Sequence, residues 1–161
     1  MPQPRSAGIL VYRTTADGSL EVLLAHPGGP FFRRKDEGVW TIPKGIIEAD
    51  ETALEAAVRE FGEETGAELP PHATGAGGGY VDLGEITQRG GKRVTAWAVE
   101  ADLDPAAFES NTFEMEWPPR SGRVQRYPEI DRAEWFDLES ARRKINPRQA
   151  TFIDRLEVAL R

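Results

Sequence analysis

The run from Trp40 to Ala67, WTIPKGIIEADETALEAAVREFGEETGA, constrains the fold of this chain more than any other stretch. Leu54, Ala57, Val58 and Phe61 fall at i, i+3, i+4 and i+7, the spacing of a helix with one buried face. Asp50 stands where an N-cap is wanted, Glu51 suits the positive end of the helix dipole, and Gly66 suits a left-handed C-cap. The pattern predicts a helix over residues 51–65. Its polar face is costly. Glu60, Glu63 and Glu64 share one side, and like charges at such spacings destabilise a helix by roughly 0.2–0.5 kcal/mol per pair. Gly62 adds about 0.8–1.0 kcal/mol relative to alanine in a helix interior. Local rules broken without an evident gain are expected at functional sites. A hard divalent cation, which takes oxygen ligands and commonly uses one or two carboxylates with substrate phosphates, would turn this repulsion into a purpose.

Composition narrows the classes. The 161 residues fit one domain, and a 39% hydrophobic content is enough to bury a real core. There are no cysteines, which excludes disulfides and thiolate metal sites and is compatible with a reducing compartment. The N-terminal MPQPRSAGILVYR lacks the apolar run of a signal peptide, and no stretch approaches a membrane span. The expected location is therefore cytoplasmic, with no membrane partner. A formal charge of −7 argues against a surface for polymeric nucleic acid, though not against small phosphorylated substrates, because a bound cation inverts the local field.

Gly45, then Glu51, then Arg59-Glu60-Phe61-Gly62-Glu63-Glu64-Thr65-Gly66-Ala67 resembles the Nudix box, the signature of the Nudix (MutT-like) hydrolases. Every fixed position holds the expected residue. Phe61 and Ala67 stand where aliphatic residues are usual, and Asp50 where the family often has glycine; none of these is a charged ligand position. The lead-in Trp40-Thr41-Ile42-Pro43-Lys44-Gly45 is similar to that of diadenosine polyphosphate hydrolases and related diphosphatases. Tyr80 falls closer to the box than the tyrosine that branch often carries. The resemblance implies an α/β fold, an α/β/α sandwich around a mixed sheet, and a single domain over residues 1–161.

The remaining residues fit that frame. Ser6–Tyr12 and Leu20–His26 read as strands joined by a polar turn, hence as an antiparallel pair. His-Pro-Gly-Gly-Pro then ends regular structure, leaving His26 as a ligand or a loop residue, and His72 lies in a Pro-Pro-His loop. Phe31–Gly38 is a charged loop whose Arg34 suits phosphate and whose aromatics suit a base; the competing reading anchors Phe31 or Phe32 in the core. Residues 75–79 form a glycine-rich connection. Tyr80–Thr87 and Arg93–Glu100 read as strands about a Gly90-Gly91 turn, with Arg89, Lys92 and Arg93 at a solvated tip. Residues 102–127 read as irregular, a length more common in functional loops. Glu134–Phe136 reads as a last short strand, and Phe152, Ile153, Leu156 and Leu160 mark an amphipathic helix over residues 147–160.

The family resemblance implies a magnesium-dependent pyrophosphohydrolase, with manganese as the alternative ion, that cuts a nucleoside diphosphate linked to another group. Glu60, Glu63, Glu64 and the Gly45 carbonyl would hold the cation; Arg59 and Glu51 would orient them. Lys44 and a loop arginine such as Arg34 would bind phosphate, and Trp40 is either a stacking platform or core. One glutamate, from the box or from a later loop, would serve as base, with Glu114 and Glu116 the loop candidates. Dinucleoside polyphosphates rank first as substrates, then nucleoside triphosphates, then nucleotide sugars such as ADP-ribose. A silent nucleotide-sensing module on the same fold is the competing class, and a homodimer is compatible with the family.

Overall fold

A computed structural model of the protein describes residues 4–69 and 79–161. Three strands come before the predicted helix: β1 (Arg5–Thr14), β2 (Leu20–Pro27) and β3 (Lys44–Ile46). After α1 (Ala53–Thr65) follow β4 (Val81–Thr87) and β5 (Arg93–Glu100). The chain closes with β6 (Thr112–Glu116), β7 (Val124–Pro128), β8 (Ile130–Asp137), α2 (Leu138–Lys144) and α3 (Ala150–Ala159). The main sheet runs β4-β5-β1-β2-β8, with β3 paired to β1. β1 and β5 are parallel and the other pairings antiparallel, so the sheet is mixed as expected.

Alternation along β1 builds the sandwich. Ala7, Ile9 and Val11 face α1, where they pack with Ala56, Ala57 and Phe61. Leu10 and Tyr12 face the other way, against Ala141 of α2 and Phe152, Ile153 and Leu156 of α3. A strand buried on both faces reads as a continuous apolar run, which is what GILVY is. Burying a side chain such as Phe61, wholly inaccessible here, is worth roughly 1.5–3 kcal/mol.

One edge of β1 is divided between two partners. β2 pairs with its C-terminal half from Val11 to Thr14, and β3 with Ser6 to Gly8. The segment between β2 and β3 crosses this split, held by Ala25–Thr41 pairing, and so delivers Lys44 and Gly45 to the helix.

Several expectations change. Asp50 does not cap α1; Thr52 does, accepting from the Glu55 amide at 3.1 Å while Glu55 accepts from the Thr52 amide at 2.9 Å, a capping box. Gly66 closes the helix as expected, at φ 72°. Residues 102–127 are not irregular throughout: β6 and β7 form a separate two-stranded sheet, pairing Phe113 with Tyr127 and Glu114 with Arg126. The alternation Phe113-Glu114-Met115-Glu116 was legible, but Pro118-Pro119 beside it read as loop. β8 is longer than the three residues read from the sequence, and α2, capped by Asp137, was missed. His26 is neither ligand nor loop residue. It is fully buried in β2, its Nε2 donating to the Lys35 carbonyl at 2.7 Å and its Nδ1 2.8 Å from Asp131. His72 and most of the glycine-rich connection lie outside the described residues. No described helix is long and apolar enough to cross a membrane.

Candidate active site

Arg59 organises the box. Its Nε donates to Glu51 Oε2 at 3.0 Å and one terminal nitrogen to Glu51 Oε1 at 2.6 Å, a two-pronged bond that fits a guanidinium to a carboxylate. The same nitrogen reaches the Ile46 carbonyl at 3.1 Å, tying the helix to the end of β3. The other terminal nitrogen donates to Glu60 Oε1 at 2.9 Å and Glu63 Oε2 at 3.2 Å. These partners hold the Arg59 guanidinium well above its ordinary value, the Glu51 bond contributing most, and hold Glu51 below the usual carboxylate range. Glu60 lies directly against Gly45, where a Cβ would come within 2.0 Å of its carboxylate carbon.

Among the described residues Glu64 has no such ion pair. Burial pushes it up to about 7, with further contributions from Glu129, Glu60 and Glu63 that Lys44 partly offsets. Burial also pushes Lys44 down, and Lys92 adds to that, while Glu64 and Glu60 act against it. Lys44, Glu64 and Glu129 line one cleft of about 330 Å³. Its other walls are Phe32, Val39, Ile42 and Ile130, with the amides of Gln88, Asn146 and Gln149. The cleft thus joins an acidic and cationic end to an apolar wall with amide groups.

The site-residue expectations divide. Arg59, Glu60, Glu63 and Glu64 share the helix, Gly45 abuts Glu60, and Lys44 lines the cleft. Trp40 is not a stacking platform: it is 1% exposed, packed edge-on against His26 and Phe136, with its indole N–H on Asp36 at 2.8 Å. Arg34 is exposed and does not line the cleft; Phe32 is the residue of that loop that does. Phe31 is exposed, stacked under the Lys35 ammonium at 3.6 Å. Glu114 and Glu116 are exposed on the β6–β7 hairpin, away from the cleft lining, and Glu114 pairs with Arg126.

The carboxylate that sequence reasoning missed is Glu129. It is the single residue between β7 and β8, its amide donating to the Asn111 carbonyl at 2.7 Å and its carbonyl accepting from Gly28 at 2.9 Å. Gly28 lets the strands come this close, since a Cβ there would meet the Pro128 carbonyl oxygen at 1.9 Å. Burial and the Glu60 charge push Glu129 up. Only its position after Pro128 hinted at a fixed loop carboxylate. Lys92 is exposed at the β4–β5 tip, as expected; its charge adds to the lowering of Lys44, and its carbonyl accepts from the cleft residue Gln88.

The donors fit a hard divalent cation in kind: all are oxygens, and their mutual repulsion at Glu64 is what a cation would relieve. Among the described residues no three acidic or histidine side chains converge on one point. Glu60 and Glu63 are turned to Arg59, each through one oxygen, which leaves the second oxygen of each outside that network.

The NUDIX domain family matches residues 2–156. The chain belongs to the Nudix (MutT-like) hydrolase family. An Ap4A hydrolase of C. elegans, solved as a binary complex, superposes with a TM-score of 0.62 at 21% identity, over 97% of this chain and 98% of that one. The NUDIX domain of Shewanella oneidensis NrtR, solved with ADP ribose, gives 0.65 at 16% identity over 100% and 90%. A MutT protein from Methanosarcina mazei gives 0.57 at 19% identity over 99% and 96%. At these identities the likeness is one of fold. A curated octanoyltransferase from Myxococcus xanthus is 33% identical over 111 residues, which cover 68% of this chain and 26% of that protein. This Nudix chain therefore spans about a quarter of that relative's length.

Proposed function

We propose that the protein is a magnesium-dependent pyrophosphohydrolase acting on a nucleoside diphosphate linked to a second group, with dinucleoside polyphosphates first among the candidates. The observation that carries this reading is the meeting of Lys44, Glu64 and Glu129 in one cleft beside the Arg59-ordered box. The Ap4A hydrolase and the ADP-ribose complex among its structural neighbours support the substrate class.

Hydrolysing a phosphoanhydride needs the phosphate charge neutralised, a water placed in line and its proton removed. Glu60, Glu63, Glu64 and the Gly45 carbonyl would hold the cation, which when bound would supply positive charge to the phosphate oxygens and lower the pKa of a nearby water. Lys44 pairs with a non-bridging oxygen. Glu129 accepts the water's proton as the new P–O bond forms, and the bridging P–O bond breaks with its electron pair leaving on the departing phosphate. A raised carboxylate suits this role, since a base works best when its affinity for the proton is close to the working pH, and general base catalysis contributes about 10²–10⁴-fold. Arg59 and Glu51 keep the ligands oriented.

The test is product detection over diadenosine polyphosphates, canonical and oxidised triphosphates and ADP-ribose, with magnesium or with chelator. Chelator-sensitive cleavage of one class is the expected result and names the substrate. Nucleotide binding without turnover on any member would replace this reading with a sensor.

A further inference from the structure

His26 lies behind the cleft, wholly buried in β2 and outside the lining. Across from it, Arg132 pairs with His26 and Ile130 with Pro27, so Asp131 between them is an extra residue with no partner in β2, a bulge. Regular alternation from Arg132 would turn Asp131 to the sheet face opposite His26. The bulge instead aims its carboxylate at His26 Nδ1, 2.8 Å away. Among the described residues His26 is the one side chain that this carboxylate engages. Nearby charges are engaged elsewhere, Asp36 with Lys144 and the Trp40 indole, and Arg132 with Glu134.

The other side of the ring holds the loop. Nε2 donates to the Lys35 carbonyl at 2.7 Å, and the amide of that same residue donates to the Phe32 carbonyl at 2.9 Å. Trp40 covers a third side, edge-on at 5.2 Å. A carbonyl only accepts, so Nε2 carries a hydrogen, and a neutral ring would then turn a bare lone pair on Asp131. The bond at Nδ1 therefore needs one more proton, held between ring and carboxylate. An apolar side chain would fill this space at less cost than a buried ionisable pair. It would leave the Lys35 carbonyl and the bulge unheld.

Both attachments lead to the cleft. Phe32 forms one wall, and Glu129 and Ile130, immediately before the bulge, form another. Asn111 and Gly28 hold the Glu129 backbone, and the bulge fixes the chain that leaves it. Resting on the pyrophosphohydrolase reading, we propose that His26 is a positioning residue. Its clasp on Asp131 and on the Lys35 carbonyl sets Glu129 against the Phe32 wall, and so aligns the base with the bound substrate.

Steady-state kinetics of Asp131→Ala and Asp131→Asn test this. The Asp131 side chain is 32% exposed, so neither change opens the core. Alanine frees the bulge but keeps the Lys35 bond, so kcat should fall about tenfold with KM within about twofold. Asparagine supplies the hydrogen at Nδ1 from its own amide, and should restore kcat to within about threefold of wild type. Hydrogen exchange reads the same contact without turnover. In Asp131→Ala the Glu129 and Gly28 amides should exchange about tenfold faster, while the Ile9 amide in β1 keeps its rate. A rise in KM at unchanged kcat, an asparagine variant as impaired as alanine, or faster exchange at Ile9 as well would overturn the proposal. If the wild type cleaves no nucleotide, the hydrolase reading fails alone, and the exchange pattern with its reversal by asparagine decides the clasp.

Discussion

Gly45→Ala isolates the contact on which the metal-ligand assignment depends. The backbone at Gly45 is ordinary strand, so alanine brings no conformational strain of its own. Its Cβ, however, would lie 2.0 Å from Glu60 Cδ and 2.2 and 2.3 Å from the two carboxylate oxygens. Real contacts of a Cβ essentially never fall under 3.0 Å, so the carboxylate must retreat by at least about 1 Å. That retreat breaks the 2.9 Å bond to Arg59, a loss of about 1 kcal/mol in this partly solvated setting. The melting temperature should fall by about 2–4 °C. A misplacement of about 1 Å at a reacting centre costs about 10²-fold in rate, so kcat/KM should drop by that order and magnesium affinity with it. Melting by circular dichroism, phosphate release and calorimetric magnesium titration read the three effects together. Wild-type kcat/KM and magnesium affinity in a folded Gly45→Ala protein would refute the placement of Glu60 against Gly45 as a functional contact.

Gly62 is the opposite case: nothing lies within 4 Å of where its Cβ would be, so Gly62→Ala should stabilise the protein by roughly 1 kcal/mol, seen as a rise in melting temperature at unchanged turnover. Glu129→Gln should lower kcat by about 10²-fold or more, while Glu114→Gln and Glu116→Gln stay within a few-fold; the reverse order would return the base to the hairpin. Glu64 is held above its unfolded value of 4.5, at about 7, so the folded form retains the proton longer than the unfolded chain. Metal-free stability should therefore be highest below pH 4.5 as far as this group is concerned, and fall as pH rises from there through 7. The loss is roughly 1–2 kcal/mol once discounted for the solvent that reaches Glu64. Denaturant titrations across that window should show the slope, and Glu64→Gln should remove it.

What could be read in the sequence depended on how local the cause was. The α1 face, the C-cap at Gly66 and the β1–β2 pair follow from period and turn chemistry within a few residues, and each is present. The helix start was misplaced because Asp50 and Thr52 are both good caps; what favours Thr52 is Glu55, whose side chain returns to the Thr52 amide. Trp40 and His26 were ambiguous because their burial depends on Phe136 and Asp131, both far along the chain. Glu129 carried no local mark: among 27 acidic residues, its value comes from Gly28 and Asn111 fixing a single-residue link beside a helix formed some 65 positions earlier.

The cost that made the box conspicuous is unevenly distributed. Arg59 takes Glu51, Glu60 and Glu63 together, so the repulsion expected from their spacing is largely answered within the protein. Glu64 is left out, and it alone of the four lines the cleft, faced by a second acid, Glu129, and by a lysine, Lys44, that burial makes readier to lose its proton. A fold selected only for stability would place Arg59 among all of its neighbours or exchange Glu64 for a neutral residue. This one keeps three carboxylates oriented by a fixed guanidinium and leaves the fourth short of positive charge where phosphates would arrive. Among the described residues Lys44 only partly offsets that deficit, and a cation bringing its own attraction for phosphate would meet the rest. On the magnesium-dependent reading proposed above, stability forgone at Glu64 in the free protein would reappear as affinity for the ion, so metal-free stability and magnesium binding should move in opposite directions with pH.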